Sequence, residues 1–151
     1  MQIRHTLLVA QPAERVYDVV ADVERYPGFV PWCEQARVVE RTDERYVTRM
    51  RVAIRRVGFE LTTHTFTRRP ESIAVRLQEG PFRSLELDWD FTALTADACR
   101  VAFSLSYELS PVLEGPLSTA VAERASRRII DAFISRADQD RGGSPSPAPR
   151  R

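Results

Sequence analysis

Residues 79–109 have the sequence EGPFRSLELDWDFTALTADACRVAFSLSYEL. On both sides of a short polar turn at 95–98, apolar and polar side chains alternate with a period of two. This alternation predicts two long neighbouring strands with one apolar, aromatic-rich face and one polar face. The side chains predicted on the apolar face are Leu85, Leu87, Trp89, Phe91, Val101, Phe103, Leu105, Tyr107 and Leu109.

Five further strands are predicted from alternation elsewhere in the chain. Short connections join the strands from residue 35 onward, which makes the predicted sheet antiparallel. An antiparallel sheet with one apolar face needs a cover on that face, because the apolar side chains have to be removed from water. The five strands occupy residues 2–9, 35–41, 45–55, 59–68 and 73–77.

Two helical segments can provide that cover. Residues 12–23 begin with a proline, which the first turn of a helix accepts, and then repeat apolar residues at helical spacing. Residues 26–32 form an aromatic connection that is broken by two prolines and a glycine. Residues 111–138 are predicted as one long helix with both of its prolines at the start and an apolar arc of roughly 200°. The sequence therefore predicts an α+β fold, in which a curved seven-stranded sheet wraps around a long C-terminal helix.

Length and composition predict a single globular domain. Of the 151 residues, 43% are hydrophobic and 28% charged, which is ordinary for such a domain. We expect the domain at 1–140 and a disordered tail at 141–151, which contains GGSPSPAP. Neither a membrane-spanning segment nor a signal peptide is predicted. Cys33 and Cys99 lack metal-ligand spacing, so a cytoplasmic protein with two free thiols is expected.

Arginine supplies all 22 basic residues of the chain. Seven arginines lie in residues 45–69 with Glu60 as the one acid there, whereas residues 70–123 carry nine acids and three arginines. Because arginine binds phosphates and carboxylates through paired hydrogen bonds, we predict one positive patch for an anionic partner. The alternative is a solvated face whose charges keep an exposed strand from aggregating. The patch residues are Arg49, Arg51, Arg55, Arg56, Arg68 and Arg69.

Residues that could perform catalysis are scarce. His5 and His64 lie on separate predicted strands without a partner at metal-ligand spacing, so no metal site is predicted. The sequence contains no GxSxG nucleophile motif, phosphate-binding loop or GxGxxG motif. Asp88 and Asp90 belong to the polar outer face of the sheet, and Cys33 is interpreted as a buried thiol rather than a nucleophile. No catalytic residue is predicted.

Four segments combine aromatic residues with chain-breaking ones or with strict alternation. They are DVERYPGFVPWC at 22–33, EGPFRSLELDWDF at 79–91, ACRVAFSLSYEL at 98–109 and AFISRA at 132–137. Through these segments the chain resembles, over residues 1–138, the coenzyme-Q-binding, polyketide-cyclase-like branch of the START-like superfamily. That branch includes the bacterial ribosome-association toxin. The resemblance implies the helix-grip fold.

The resemblance also implies an isoprenoid quinone or similar lipid held between the helix and the sheet, in a tunnel that opens near Phe29 and Trp32. Apolar, aromatic-lined concave sites are typical of ligand pockets. For any single aromatic residue a role in the core is the alternative, but the ring-rich broken loop at 26–32 favours a binding role. The implied ligand-binding residues are Tyr26, Phe29, Pro31 and Trp32 at the mouth, Phe82, Leu85, Trp89, Phe91 and Phe103 on the sheet, and Val121, Ile129 and Phe133 on the helix.

Three functions follow from the resemblance and stay open at this point. The first is non-enzymatic binding of an isoprenoid quinone that supports respiratory electron transport, with no covalent cofactor. The second is association with the large ribosomal subunit, which would inhibit translation initiation through the arginine patch. The third is polyketide cyclisation. An anionic membrane surface presents phosphates as RNA does, so the inner face of the membrane is an alternative location, while no DNA partner is expected.

Overall fold

The computed structural model describes residues 1–54 and 56–142, and its central element is one seven-stranded antiparallel sheet. Three α-helices and a short 3₁₀ helix accompany the sheet. The strands are β1 Gln2–Val9, β2 Cys33–Arg41, β3 Arg45–Ile54, β4 Val57–Arg68, β5 Ser72–Glu79, β6 Phe82–Thr95 and β7 Ala98–Leu109. The helices are α1 Ala13–Ala21, the 3₁₀ helix Val23–Gly28, α2 Pro111–Glu114 and α3 Thr119–Gly142.

The strand order in the sheet is β1-β7-β6-β5-β4-β3-β2. Strands β2 to β7 are therefore consecutive hairpin neighbours, and β1 closes the order beside β7. The sheet curves around the helices, which lie on its concave face. This is the helix-grip architecture, so the predicted fold class is confirmed.

The long hairpin of β6 and β7 has the alternation that the sequence predicts. Trp89 is paired with Phe103 and Phe91 with Val101, and all four side chains are at most 4% exposed. At the turn, the backbone N–H of Asp97 donates to Oγ1 of Thr95 over 3.1 Å. The hairpin thus provides the aromatic half of the concave face.

The predicted long C-terminal helix is wrong in one respect, because the structure breaks it into α2 and α3. The break contains Gly115 and Pro116, and proline cannot donate a backbone hydrogen bond to continue a helix. Ser118 then starts α3, since its hydroxyl accepts a hydrogen bond from the N–H of Val121 at 3.3 Å. Leu117, 8% exposed, anchors the break to the sheet-bound cluster around Tyr107.

The C-terminal boundary also differs slightly from the prediction. Helix α3 continues to Gly142, so residues 141 and 142, which were assigned to the disordered tail, are helical. The rest of that predicted tail, 143–151, lies outside the described residues. Within the part of the chain that the structure describes, no helix is long and apolar enough to cross a membrane.

Buried side chains form two clusters beneath the sheet. The larger one joins α1, α3 and the aromatic residues of β6 and β7, and Phe133 of α3 is 2% exposed within it. The smaller one surrounds Leu113 of α2, which is 1% exposed, at the other end of the sheet. Phe133 therefore packs α3 onto the sheet through the ring of Trp89.

We expect Phe133→Ala to lower the free energy of unfolding by about 3–5 kcal/mol, because it removes a fully buried ring from a packed cluster. The matched control is Phe66→Ala, since Phe66 is 43% exposed on the outer face. That control should cost less than about 1.5 kcal/mol. Urea unfolding followed by circular dichroism measures both, and equal losses would contradict this account of the core.

Candidate functional site

An apolar cavity of about 170 Å³ lies between the concave face of β3–β6, the 3₁₀ helix with the loop after it, and α3. Its wall is almost entirely hydrocarbon, sulfur and aromatic carbon, with threonine and tyrosine as the exceptions. The sheet contributes Cys33, Tyr46, Thr48, Met50, Val52, Ile54, Leu61, Thr63, Thr65, Ile73, Val75, Leu85, Leu87 and Trp89. The other elements contribute Val20, Val23, Tyr26, Val30, Pro31, Trp32, Ile129 and Phe133.

The structure brings more than half of the sequence-predicted ligand residues together on this wall. They come from four separate parts of the chain: the 3₁₀ helix, the loop after it, β6 and α3. A ligand-binding role for them remains a prediction. These residues are Tyr26, Pro31, Trp32, Leu85, Trp89, Ile129 and Phe133.

The remaining five predicted residues are not part of the cavity wall. Phe29 packs on Phe133 with ring centroids 5.5 Å apart and faces away from the cavity. Phe91 and Phe103 pack against Trp89, and Phe91 also contacts the ring of Tyr17 in α1. The last two, Phe82 and Val121, belong to the smaller cluster around α2.

Phe133 holds the roof of the cavity through three edge-to-face ring contacts. The centroid of its ring lies 5.1 Å from that of Tyr26, 5.5 Å from that of Phe29 and 5.3 Å from that of Trp89. Edge-to-face pairs at such distances add to the stability that apolar burial provides. The broken loop, the helix and the sheet are thereby joined around one ring.

Trp32 stands at the half-buried rim of the cavity in an unusual backbone conformation. Its φ is 67°, in the left-handed region that residues other than glycine seldom occupy. The neighbouring strand holds this conformation, because the N–H of Ala53 donates to the carbonyl of Trp32 at 2.9 Å. Above the ring lies the guanidinium of Arg128, with Cζ 5.3 Å from the centroid. Such strain, held in place by the surroundings, is often found at functional sites.

Two tyrosines of the wall use their hydroxyls to satisfy the end of α1. The hydroxyl of Tyr26 donates to the carbonyl of Val20, and that of Tyr46 donates to the carbonyl of Ala21 at 3.0 Å. These carbonyls are among the last of the helix, which have no partner within it. Burial raises the pKa of Tyr46 to about 12 and that of Tyr26 well above its ordinary value. Both phenols are neutral at pH 7.

Cys33 lines the cavity as a neutral thiol. Burial raises its pKa from 9.0 to about 11, and its sulfur donates to the carbonyl of Gln35 at 3.7 Å. Cys99 is fully buried, which raises its pKa as well. Since the thiolate is the nucleophilic form, neither cysteine is activated for covalent chemistry.

Three threonines on β3 and β4 are wall residues that the sequence reasoning missed. Thr48, Thr63 and Thr65 are each at most 4% exposed, and all three face the cavity. Oγ1 of Thr48 is buried without a hydrogen-bond partner among the described residues, which costs about 1–3 kcal/mol. The sequence does contain a signal for these wall residues. In the alternation of β3 and β4, the threonines occupy inward-facing positions at which apolar residues are expected.

The histidines and acids form no metal site in the parts of the chain that are described, 1–54 and 56–142. His64 stacks on Phe66 on the outer face, with ring centroids 5.3 Å apart. His5 lies against Phe103 at 6.3 Å. Both rings are thus occupied in packing.

The predicted arginine patch does not form as one group. Arg51 pairs with Glu34 at 3.1 Å, Arg68 with Glu71 at 3.7 Å, and both Nε and Nη2 of Arg69 donate to the carboxylate of Asp18. Acids from α1, β2 and the β4–β5 turn supply these partners, which the sequence spacing did not reveal. Arg51 and Arg68 are also far apart. Arg51 lies opposite Glu60 of β4, and Arg68 follows eight positions later on that strand, about 26 Å away.

One member of the predicted patch, Arg49, has an arginine neighbour that the sequence analysis did not include. Arg49 is exposed on the outer face and lies directly opposite exposed Arg37 of the edge strand β2. Neither has an acidic partner within the described residues, and like charges in facing positions are destabilising. Arg56 is exposed in the turn between β3 and β4, whereas Arg55 lies outside the described residues.

Comparison with known proteins places this geometry in a family. The model of the family "Polyketide cyclase / dehydrase and lipid transport" matches residues 9–134. The chain belongs to this family. It is therefore a START-like protein, and the suspected resemblance is confirmed.

Individual relatives carry different names. The chain is 33% identical over 141 residues to Ribosome association toxin RatA of Pseudomonas aeruginosa, covering 91% of this chain and 95% of that one. It is 29% identical over 133 residues to the mitochondrial Coenzyme Q-binding protein COQ10 homolog B of Xenopus laevis, covering 82% of this chain and 52% of that one. The crystal structure of the Zhui aromatase/cyclase from Streptomyces sp. R1128 superposes with a TM-score of 0.84 at 23% identity, covering 95% and 97% of the two chains, which shows the shared fold.

The raised pKa of Cys33 predicts a loss of stability at alkaline pH. The unfolded thiol ionises near pH 9 but the folded one only near pH 11, so stability is complete below pH 9 and is lost as the pH rises toward 11. We expect Cys33→Ala to make this fall shallower than in the wild type. Urea unfolding across this range measures it, and identical slopes in the two proteins would contradict the buried neutral thiol.

Proposed function

We propose that this protein binds an isoprenoid quinone or a similar ring-bearing lipid in its apolar cavity and does not transform it. The observation that carries the proposal is the cavity itself, which is walled by the concave sheet and roofed by the ring of Phe133. Apolar, concave sites with few polar groups are the usual form of a small-molecule site. Relatives with lipid transport and coenzyme Q binding in their descriptions support the same reading.

The size of the cavity limits which part of a lipid it can take. Its volume of about 170 Å³ is below the range of about 300–1,000 Å³ for whole drug-sized ligands. It is close to the volume of about 150 Å³ of an engineered apolar cavity that binds benzene. We infer that one substituted ring occupies the cavity, while an attached isoprenoid tail leaves past the rim at Trp32.

The chemistry of the wall favours binding over catalysis. The groups on it that can ionise are Cys33, Tyr26 and Tyr46, whose raised pKa values keep them neutral at pH 7. Each of them also donates a hydrogen bond to a backbone carbonyl. A general acid or base works best with a pKa near the operating pH, which none of the three has. The cyclase alternative therefore receives less support.

Organic extraction of the purified protein, followed by mass spectrometry, is the direct test. We expect a co-purified quinone or ring-bearing lipid, and less of it from Trp32→Ala, which opens the rim of the cavity. Alanine has the same unfavourable backbone at φ 67° as tryptophan, so the comparison reports the ring alone. The melting temperature should stay within a few degrees of the wild type.

Phe66→Ala, on the outer face, is the matched control and should retain the ligand in full. If the wild-type extract contains no hydrophobic molecule and none binds on addition, the proposal fails. If Trp32→Ala unfolds as readily as Phe133→Ala, the rim is part of the core, and the argument for a binding mouth is lost.

A second candidate is association with the large ribosomal subunit, as the name of the Pseudomonas relative suggests. The specific observation in its favour is the facing pair Arg37 and Arg49, exposed and free of acidic partners among the described residues. A like-charged pair lowers the stability of the sheet, so an anionic partner such as RNA phosphate would relieve the repulsion.

We expect the double variant Arg37→Ala/Arg49→Ala to co-sediment more weakly with large ribosomal subunits. The slope of log affinity against log salt concentration should fall by about two, because two phosphate contacts are lost. The fold should be retained or slightly stabilised. Arg68→Ala is the matched control, because Arg68 is exposed but paired with Glu71 at the far end of β4. Equal binding by all variants at every salt concentration would exclude this surface as the contact.

A further inference from the structure

On the described wall of the cavity, Oγ1 of Thr48 is fully enclosed and has no hydrogen-bond partner. It is 1% exposed and lies directly opposite Thr63, which is 3% exposed and also faces the cavity. Facing side chains in an antiparallel pair have Cβ atoms about 4.5–5.5 Å apart, so both hydroxyls can reach the same atom. Two hydroxyls thus lie next to each other in an otherwise apolar wall. The oxygen of Thr48 itself has almost no accessible surface, so it contacts a ligand only after rotation of its side chain.

Three other polar groups of the wall are already engaged by the protein. The hydroxyls of Tyr26 and Tyr46 and the thiol of Cys33 donate to backbone carbonyls. Buried polar groups in proteins nearly always have partners. Of the unpaired buried atoms in the described residues, that of Thr48 belongs to the cavity wall, where a bound molecule can supply the partner.

We infer that Thr48, assisted by Thr63, hydrogen-bonds an oxygen on the ring of the bound molecule. The cavity would then select rings that carry a carbonyl or hydroxyl group over plain hydrocarbons. This inference rests on the proposed binding function and deepens it, because it assigns the residues that recognise the polar end of the ligand.

The position of Thr48 also orients the ligand. Thr48 is almost fully buried, whereas Trp32 at the rim is half-buried, so the oxygen-bearing end lies inward and the tail lies outward. A hydroxyl can donate to a carbonyl and accept from another hydroxyl. Thr48 therefore suits both a quinone and its reduced quinol, as a carrier of either form requires.

The test compares two probes of nearly the same shape, duroquinone and 1,2,4,5-tetramethylbenzene, which differ in the two ring oxygens. Duroquinone is fully substituted, so its ring resists addition of the cavity thiol. Binding to the wild type, Thr48→Val, Thr63→Val and Thr48→Ser is followed by ¹⁵N–¹H NMR titration, which also reports folding and the location of the probe. Valine keeps the shape of threonine and removes only the hydroxyl.

We expect Thr48→Val to weaken duroquinone binding about threefold to tenfold, the usual effect of one neutral hydrogen bond. Binding of the hydrocarbon should change by less than about twofold, and Thr48→Ser should keep most of the quinone affinity. Without a ligand, Thr48→Val should be as stable as the wild type or more so, because it removes an unpaired buried hydroxyl. Thr63→Val should weaken duroquinone binding more than hydrocarbon binding as well, but to a smaller extent than Thr48→Val.

The possible failures can be told apart. If the wild type binds both probes and Thr48→Val changes both affinities alike or neither, the inference is wrong while hydrophobic binding stands. A hydroxyl that only binds a buried water would give this same result. If the wild type binds neither probe and its extract contains no hydrophobic molecule, the proposed function fails, and the inference with it.

Discussion

Phe133 of α3 packs edge-to-face against Tyr26 of the 3₁₀ helix, Phe29 of the following loop and Trp89 of the sheet. These contacts join three parts of the chain that are distant in sequence. They fix how far the 3₁₀ helix and α3 lie from the concave face. The distance between roof and sheet is therefore set by ring dimensions. Phe91 of β6 and Phe103 of β7 fill that space on the side of Trp89 that faces away from the cavity. Beneath β3 to β5, the smaller side chains leave part of that space unfilled.

The cavity is the consequence of this uneven filling. On β3 and β4 the inward residues include Thr48 and Thr63, and on β5 they include Val75, all of them too short to reach the roof. The helix cannot move closer, because Phe133 already rests on Trp89. An apolar space next to a well-packed aromatic cluster offers a ring-shaped molecule the contacts that the protein lacks. The same contacts that stabilise the fold thus maintain the site.

Several exposed arginines pair with acids that the fold brings near them. Arg69 meets Asp18 of α1, and Arg51 meets Glu34 of β2, although the sequence separates both pairs widely. The predicted patch was derived from local counts of charge along the chain, which cannot include acids contributed by other elements. The facing pair Arg37 and Arg49 escaped the same count, because its members belong to different strands and become neighbours through their register.

The sequence by itself determined the seven strands, their antiparallel order and the inward face, because alternation with a period of two is a local property that side chains of β6 and β7 display directly. It also identified the ring-rich loop and α3 as the other walls. Only the tertiary structure decided that Phe29, Phe91 and Phe103 lie beside the cavity, while Thr48 lies on its wall without a partner. Whether an inward side chain fills the core or borders a space depends on what stands opposite it. That is fixed by the packing of distant elements, which no local pattern encodes.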